Sequence, residues 1–251
     1  MNLHLPIRRL LPRLAGLVIL VAAWQILGAT GVTGKTLPAF TDVLHIYTLQ
    51  VRRALLLRAA SATIASAALG LAIGSCLGCL TALAAYLLPI LSPGLNRMAV
   101  VVNAVPAIAL GPILIVTAGR EETPILLAAI PVYFLLYVAA TAGLTSADRR
   151  HTQLFLAAGA TRIQRLIFLD AIYAIPALLN GLKLGVPTAI IGAVVGEWFG
   201  APTGLGIVIL NTMQNFQIPL MWATVLVVAA ISLSIYGILG LAERAAQRRF
   251  A

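Results

Sequence analysis

Six long apolar stretches constrain the fold of this 251-residue chain more than any other feature. They lie near residues 14–33, 61–88, 98–118, 124–144, 172–199 and 219–241. A helix that crosses the hydrocarbon core of a bilayer needs roughly 20 apolar residues. The stretches are continuous and rich in Ala, Leu and Ile, whereas the strands of a membrane barrel alternate apolar and polar residues. The sequence therefore predicts an all-α polytopic membrane protein with six transmembrane helices.

The composition excludes several other classes. Hydrophobic residues make up 61% of the chain and charged residues 10%, whereas about a quarter of the residues of a soluble domain are charged. Three histidines and two cysteines are too few and too scattered for a metal or redox site, and we interpret Cys76 and Cys79 as packing residues within a span. The net charge of +10 is spread over short loops and tails, which indicates membrane topology rather than nucleic-acid binding.

The distribution of arginines predicts the orientation in the membrane. If the N-terminus is cytoplasmic, most arginines lie on the cytoplasmic side, as the positive-inside rule requires. Both termini and residues 148–165 are then cytoplasmic. A cleavable signal peptide in the first thirty residues is the alternative, although the apolar run continues past Trp24 to Val32 without a clean cleavage site.

We expect three regions along the chain. Residues 1–35 form a cytoplasmic tail with the first span, residues 36–60 an external loop with an interfacial helix, and residues 61–251 the core domain. The interfacial helix is predicted from apolar residues at helical spacing, which are Val43, Leu44, Tyr47, Val51 and Leu55. A simple extension of the second span explains the same pattern.

Small residues recur every four positions in the second stretch. They are Ser66, Gly70, Gly74, Gly78 and Ala82. This spacing places them on one helix face, where small side chains let two helices approach closely within a bilayer. The pattern predicts a packing seam against another span of the same chain; dimerisation through this face is the alternative.

Prolines and amides within the spans indicate a transport pathway. Asn103 and Pro106 lie in the third stretch and Asn180 in the fifth. Proline leaves a backbone carbonyl of the preceding turn without its hydrogen bond. Such a carbonyl is tolerated within a membrane where neighbouring residues or a water-filled cavity provide another donor. We therefore expect these residues to contribute to a pathway, while hydrogen bonding between helices is the other use open to the two amides.

Glu197 is an acidic residue deep in the second half of a predicted span. A carboxylate within a bilayer costs on the order of 2.5 to 3.5 kcal/mol, so a functional role is the starting hypothesis. Its neighbours Gly196, Trp198 and Gly200 also fit an interfacial position. We expect a structural or gating role; direct contact with a transported solute is the alternative.

An extended polar segment, DRRHTQLFLAAGATRIQR, covers residues 148–165, and we call it the polar loop. Asp148 is suited to cap a helix, Gly159 to end it in a left-handed conformation, and Thr161 with Gln164 to start a second helix through a capping box. Leu154, Phe155, Ile163 and Leu166 would form an apolar ridge. A mere connection needs only 2 to 8 residues, so the pattern favours docking of a cytoplasmic partner over a plain hairpin.

From the polar loop onward the chain resembles a known family. Gly159-Ala160-Thr161, then Pro176, then Gly181-Leu182-Lys183 are similar to the conserved loop of permease subunits of binding-protein-dependent ATP-binding-cassette (ABC) importers. The similarity extends to the following segments: Thr36–Pro38, Asn103–Pro106, Gly196–Gly200 and Thr203–Gly206. The nitrate, sulfonate and taurine branch is the most similar. Gln153, Leu154 and Phe155 depart from the usual Glu-Ala-Ala, which puts the typical strength of ATPase docking in doubt.

The resemblance implies a multi-pass permease of the bacterial inner membrane that forms a translocation pathway for a small, anionic solute. Its expected partners are a cytoplasmic ABC ATPase dimer, a second permease copy or paralogue, and an extracytoplasmic solute-binding protein. ATP and Mg²⁺ would be bound by the ATPase, since the chain has no phosphate-binding G-x-x-x-x-G-K-[ST] sequence and we expect no cofactor in it. The ATPase-coupling residues would be Gln153, Leu154, Phe155, Gly159, Ala160, Thr161, Arg162 and Gln164, and the pathway or gating residues Asn103, Pro106, Asn180 and Glu197.

Three rival classes fit less well. An intramembrane enzyme needs clustered catalytic groups at membrane depth, but the histidines lie outside the spans. A self-sufficient secondary transporter or channel is the main alternative, for which internal repeats or several ionisable residues within the spans are expected. A vitamin importer with an embedded binding protein fits the Gly-Ala-Thr to Gly-Leu-Lys region poorly. The solute itself stays open among nitrate, sulfonates, taurine, other organic acids and pyrimidine precursors.

Overall fold

A computed structural model describes residues 5–32, 34 and 36–250 of the chain. Within these residues the secondary structure is entirely helical, which confirms the all-α prediction. The helices are α1 (Leu5–Thr30), α2 (Phe40–Ile46), α3 (Gln50–Leu87), α4 (Ser92–Ala104), α5 (Ala107–Thr117), α6 (Thr123–Leu144), α7 (Arg149–Ala157), α8 (Arg162–Arg165), a π turn (Leu166–Asp170), α9 (Ala171–Glu197), α10 (Leu205–Gln214) and α11 (Ile218–Phe250).

Four helices in the described part of the chain are long and apolar enough to cross a membrane. They are α3, α6, the continuous segment Arg162–Glu197, and Ile218–Leu241 of α11. Helices α4 and α5 qualify only as a pair, and Ala15–Thr30 of α1 is apolar but shorter. The polytopic character is therefore confirmed, while the count of six spans stays a prediction.

The third predicted span is a broken helix rather than a continuous one. Helices α4 and α5 meet at a bend of 92°. Pro106 lacks a backbone N–H and disfavours helical geometry in the residue before it. Val105 accordingly has extended dihedral angles, φ −75° and ψ 122°, and Pro106 becomes the N-cap of α5.

The segment before the second stretch is helical as well. Residues 40–46 form α2, and α3 begins at Gln50, well before the apolar stretch that starts near residue 61. From Gln50 onward the observed helix is an extension of the second span, which was one of the two alternatives. A position of residues 36–60 along the outer membrane surface, and the division at residues 35 and 60, stay predictions.

The chain divides into two compact units, and the first extends to Leu57 and again over Val208–Val227. In it, the indole ring of Trp24 packs on Phe40 and Trp222, at centroid distances of 5.3 and 5.0 Å. The two indole N–H groups donate to the carbonyls of Pro38 and Thr36, each at 3.0 Å. These contacts hold the segment between α1 and α2 in place.

Tyr47, just after α2, makes a second long-range contact in this unit. Its hydroxyl donates a hydrogen bond of 2.7 Å to the carbonyl of Ala223 in α11. Burial raises the pKa of this hydroxyl, because the charged phenolate would be poorly solvated. Tyr47 therefore stays a neutral donor.

The second unit comprises Arg58–Ile207 and the chain from Val228 onward, and α6 lies at its centre. A Cβ atom added to Gly74 of α3 would lie 2.5 Å from the carbonyl oxygen of Ala129 in α6. One added to Gly192 of α9 would lie 2.4 Å from the carbonyl oxygen of Leu127. Gly70 and Gly78 are equally close to α6, so the predicted small-residue seam within the chain is confirmed.

Candidate functional site

The polar loop has the local structure that its sequence predicts. The carboxylate of Asp148 accepts a 2.8 Å hydrogen bond from the backbone N–H of Arg150 and caps α7. Gly159 follows α7 with φ +72°, a conformation that favours glycine. Thr161 and Gln164 then form the predicted capping box, in which each side chain accepts from the backbone N–H of the other, at 3.2 and 2.7 Å. The helix–turn–helix prediction is confirmed.

The second helix of the polar loop differs in one respect from the prediction. It is a single turn, α8, which passes through the π turn directly into α9. The polar loop is thus separated from α6 by a short turn but is continuous with the next span. Helix α8 is therefore connected to the start of α9 by continuous helical backbone.

An apolar surface covers one side of the polar loop. The side chains of Leu154 and Ile163 are 65% and 59% exposed, whereas Phe155 and Leu166 are half-buried. A cavity of about 450 Å³ opens between α7 and α8. It is lined by Leu154, Phe155, Ala158, Gly159, Ala160, Gln164 and Phe168. Five of the eight predicted coupling residues therefore line one cavity.

Two arginines of the polar loop contact the end of α3. Nη1 of Arg162 donates to the backbone carbonyl of Tyr86 at 2.9 Å. Nε of Arg165 donates to Oδ2 of Asp170 at 2.9 Å, and its Nη2 donates to the hydroxyl of Tyr86 at 3.0 Å. The hydroxyl of Tyr86 in turn donates to Asp170.

Tyr86, Arg165 and Asp170 were not among the candidate residues found from the sequence. The available signal was Asp170, an acidic residue directly before an apolar stretch. Such a residue requires a buried partner, but the sequence does not show which one. Tyr86 lies 84 positions away along the chain.

The structure places Asn103 and Pro106 at the break between α4 and α5. Asn103 is in the last turn of α4, Pro106 caps α5, and both are exposed, as is Asn180 on α9. The ring of Phe199 packs against the backbone of α5 at Gly111, where an added Cβ atom would lie 2.2 Å from it. In the described part of the chain, no hydrogen bond joins Asn103, Asn180 and Glu197.

Glu197 is buried, with 1% of its surface exposed. Its Oε2 accepts a 2.6 Å hydrogen bond from the backbone N–H of Gly206, while Oγ1 of Thr63 accepts one of 2.8 Å from that of Leu205. These two side chains cap the first turn of α10, whose N–H groups have no partner within the helix. Gly204 makes this possible, because a Cβ atom there would lie 2.2 Å from the carboxylate. The geometry supports a structural role for Glu197.

No group of three or more His, Cys, Asp or Glu residues that is suited to hold a metal ion occurs among the residues that the structure describes. The free thiols of Cys76 and Cys79 lie on α3, exposed and half-buried respectively.

Comparison with known proteins identifies the family. Residues 74–248 match the family described as the binding-protein-dependent transport system inner membrane component. The chain belongs to this family. It is therefore an inner-membrane permease of a binding-protein-dependent ABC importer, and the predicted resemblance is confirmed. The family is a family of transport permeases and not of enzymes.

Individual relatives agree with this assignment. The permease is 34% identical over 72% of its length to the formylaminopyrimidine transport permease protein ThiX of Halalkalibacterium halodurans, of which it covers 71%. It is 25% identical over 85% of its length to the putative aliphatic sulfonates transport permease protein SsuC of Bacillus subtilis, of which it covers 78%.

A solved structure shows the same fold. A chain from the inward-facing conformations of the MetNI methionine ABC transporter superposes with a TM-score of 0.71. The superposition covers 79% of the permease and 99% of that chain, at 17% sequence identity. At this identity the likeness concerns the helical fold alone.

Proposed function

We propose that this permease forms the translocation pathway for a small anionic solute and is driven by ATPase subunits that dock on the polar loop. A solute-binding protein would deliver the solute from outside, and a second permease, either a copy or a paralogue, would complete the pathway. The observation that carries the proposal is the polar loop itself, a rigidly capped helix–turn–helix with an exposed apolar surface.

Docking that transmits motion requires a surface that keeps its structure when the ATPase moves. The cap at Asp148, the left-handed Gly159 and the capping box at Thr161 fix the polar loop at three points. A rigid element passes on rigid-body motion instead of absorbing it. Exposed Leu154 and Ile163 give a partner apolar area to bury, which is the main favourable contribution to association.

The experiment is co-purification of the ATPase with a permease in which Leu154, Phe155 and Gly159 are replaced together by Ser, Ser and Val. We expect the ATPase to be lost from the complex. The matched control is Ile90→Ser, since Ile90 lies between α3 and α4, on the side predicted to be cytoplasmic, and its side chain is 89% exposed. Unchanged co-purification and uptake with the triple variant would exclude docking at this loop.

The break between α4 and α5 supports the pathway. Irregular backbone at membrane depth is tolerated only where it is buried in protein or lines a water-filled cavity. Asn103, Val105 and Pro106 are exposed in the single chain, so a cavity or a second permease must cover them. The N-terminus of α5 lies at this break and carries the partial positive charge that favours an anion. We propose that this break lines the pathway.

The buried position of Glu197 is consistent with an anionic solute. An exposed carboxylate in the pathway would repel an anion, but the carboxylate of Glu197 is 1% exposed and caps α10. Glu197 would then act as a structural group and not as a contact for the solute.

Uptake into proteoliposomes that contain the permease, its ATPase and its binding protein tests the charge of the solute. We expect uptake of radiolabelled taurine or an alkanesulfonate, competed by other small anions. Uptake of a neutral formylaminopyrimidine alone would contradict the anionic solute but keep the importer. Uptake in vesicles without the ATPase would instead favour a secondary transporter.

A further inference from the structure

The polar loop is connected to three long helices, and the connection to one of them is made through hydrogen bonds and not through the chain itself. Helices α6 and α9 precede and follow the polar loop along the chain. Helix α3 is remote in sequence, yet its last turn contacts the polar loop through Tyr86. The backbone carbonyl of Tyr86 is one of the last four of α3, which have no partner within the helix, and Arg162 fills that position. The positive guanidinium also suits the negative end of the helix dipole.

The π turn creates the pair that binds the side chain of Tyr86. In an α-helix, residues four apart lie on the same face, whereas a π turn closes hydrogen bonds between residues five apart. The turn over Leu166–Asp170 therefore brings Arg165 and Asp170 together, with Nε of Arg165 at 2.9 Å from Oδ2 of Asp170. Single π turns within α-helices occur frequently at functional sites.

Burial distinguishes this network from an ordinary surface ion pair. The side chain of Asp170 is 3% exposed and that of Arg165 is 26% exposed. A charged carboxylate is stable in a buried position only when it is paired with a positive charge and hydrogen-bonded. Arg165 provides the charge for Asp170, and the hydroxyl of Tyr86 provides a further hydrogen bond. The guanidinium also lies over the ring of Tyr86, 5.7 Å from its centroid. The end of α3 is thus held to α8 and the π turn by several mutually dependent contacts.

We propose that Tyr86, Arg165 and Asp170 form a positioning link that makes α3 follow the polar loop when the ATPase moves. The proposal rests on the proposed docking function and extends it by naming the span that moves and the residues that move it. The small-residue seam at Gly70, Gly74 and Gly78 then transmits the same displacement between α3 and α6, because the two backbones are in direct contact there. Helices α3, α6 and the start of α9 would respond as one body.

The experiment follows two cysteines in a background in which Cys76 is replaced by Ser and Cys79 by Ala. Ala157→Cys, on the exposed surface of α7, reports whether the ATPase covers the polar loop. Ser61→Cys, exposed on α3 and about 37 Å along the helix axis from Tyr86, reports the movement of α3. Both are labelled with a water-soluble maleimide in the permease–ATPase complex in nanodiscs, without nucleotide and with ATP and vanadate.

Two variants break the link without leaving an unpaired buried charge. Tyr86→Phe removes one hydroxyl, and the double variant Arg165→Gln with Asp170→Asn removes both charges; asparagine has the shape of aspartate, and glutamine is shorter than arginine. The matched control is Tyr236→Phe, since Tyr236 of α11 also has a cation over its ring, Lys183 at 4.8 Å. Thermal unfolding of each variant shows whether its fold is retained.

We expect the ATPase to protect Ala157→Cys from labelling in every variant. In the starting protein and in Tyr236→Phe, we expect ATP with vanadate to change the labelling rate of Ser61→Cys. In Tyr86→Phe and in the double variant this nucleotide-dependent change is lost. If the change persists in both, or is absent from the starting protein, the link is overturned. If the ATPase never protects Ala157→Cys, the docking function itself fails, which is a different result.

Discussion

Glu197 shows how one buried carboxylate stabilises a helix end in this permease. Its Oε2 accepts a hydrogen bond from the backbone N–H of Gly206, and Oγ1 of Thr63 accepts one from the backbone N–H of Leu205. Both acceptors are buried, so bulk water does not reach these hydrogen bonds in the folded protein. The positive φ of Gly204 and the absence of a side chain there give the carboxylate room.

We expect Glu197→Ala to destabilise the permease and Glu197→Gln to do so much less. Alanine leaves the buried N–H of Gly206 without an acceptor, which costs about 1–3 kcal/mol, whereas glutamine keeps an oxygen at that position. The measurement is the thermal unfolding midpoint of the purified protein in detergent. Equal midpoints for the two variants would show that the hydrogen bond to Gly206 does not stabilise the fold.

Gly159 is the second single residue with a testable structural requirement. A residue with a Cβ atom in its left-handed conformation costs roughly 1–2 kcal/mol, and asparagine tolerates this conformation better than most residues. Gly159→Val should therefore increase proteolysis of the polar loop, and Gly159→Asn should do so less. Gly94→Ala is the control, because Gly94 also has open space around it but no positive φ. Similar cleavage of all three variants would contradict this requirement.

At the scale of elements, the contact between α3 and α6 depends on glycines. Backbones that touch leave no space for side chains, as at Gly70, Gly74 and Gly78. In a bilayer such close packing supplies the association energy, since lipid offers no hydrophobic drive between helices. The same helix α3 bears Tyr86 at its end, so its packing and its proposed movement are connected.

Gly74→Ala should destabilise the protein by about 1–3 kcal/mol through overpacking, because the new Cβ atom would lie 2.5 Å from the carbonyl oxygen of Ala129. Gly237→Ala is the matched control, since Gly237 lies in α11 with nothing within 4 Å of the added atom. Thermal unfolding in detergent measures both variants. A Gly74→Ala protein as stable as Gly237→Ala would mean that α3 and α6 separate at little cost.

At the scale of the whole molecule, the arginine distribution predicts that the polar loop and both termini are cytoplasmic. In a cysteine-free background, Thr161→Cys should resist an impermeant maleimide added to intact cells. Val32→Cys, exposed just after α1 at the predicted outer end of the first span, should react. Permeabilised cells should label at both positions. Labelling of Thr161→Cys and protection of Val32→Cys in intact cells would invert the topology.

The predictions from sequence succeeded where the interactions are local. Asp148 with Arg150 and Thr161 with Gln164 lie two and three residues apart, so the caps of the polar loop follow from the residue types themselves. The small-residue seam was predictable for a similar reason, since a spacing of four places residues on one helix face. Its partner, α6, was not, because only folding brings Gly74 against Ala129.

The sequence by itself determined that this chain is an all-helical membrane permease with a capped polar loop, because apolar length, capping residues and family motifs are properties of short segments. Only the tertiary structure decided that the third stretch bends by 92°, that Glu197 caps α10 together with Thr63, and that Tyr86 is bound to Arg165 and Asp170. The residues in these contacts are up to 142 positions apart, and no local pattern specifies which of them meet. The packing of the helices determines which of these residues come into contact.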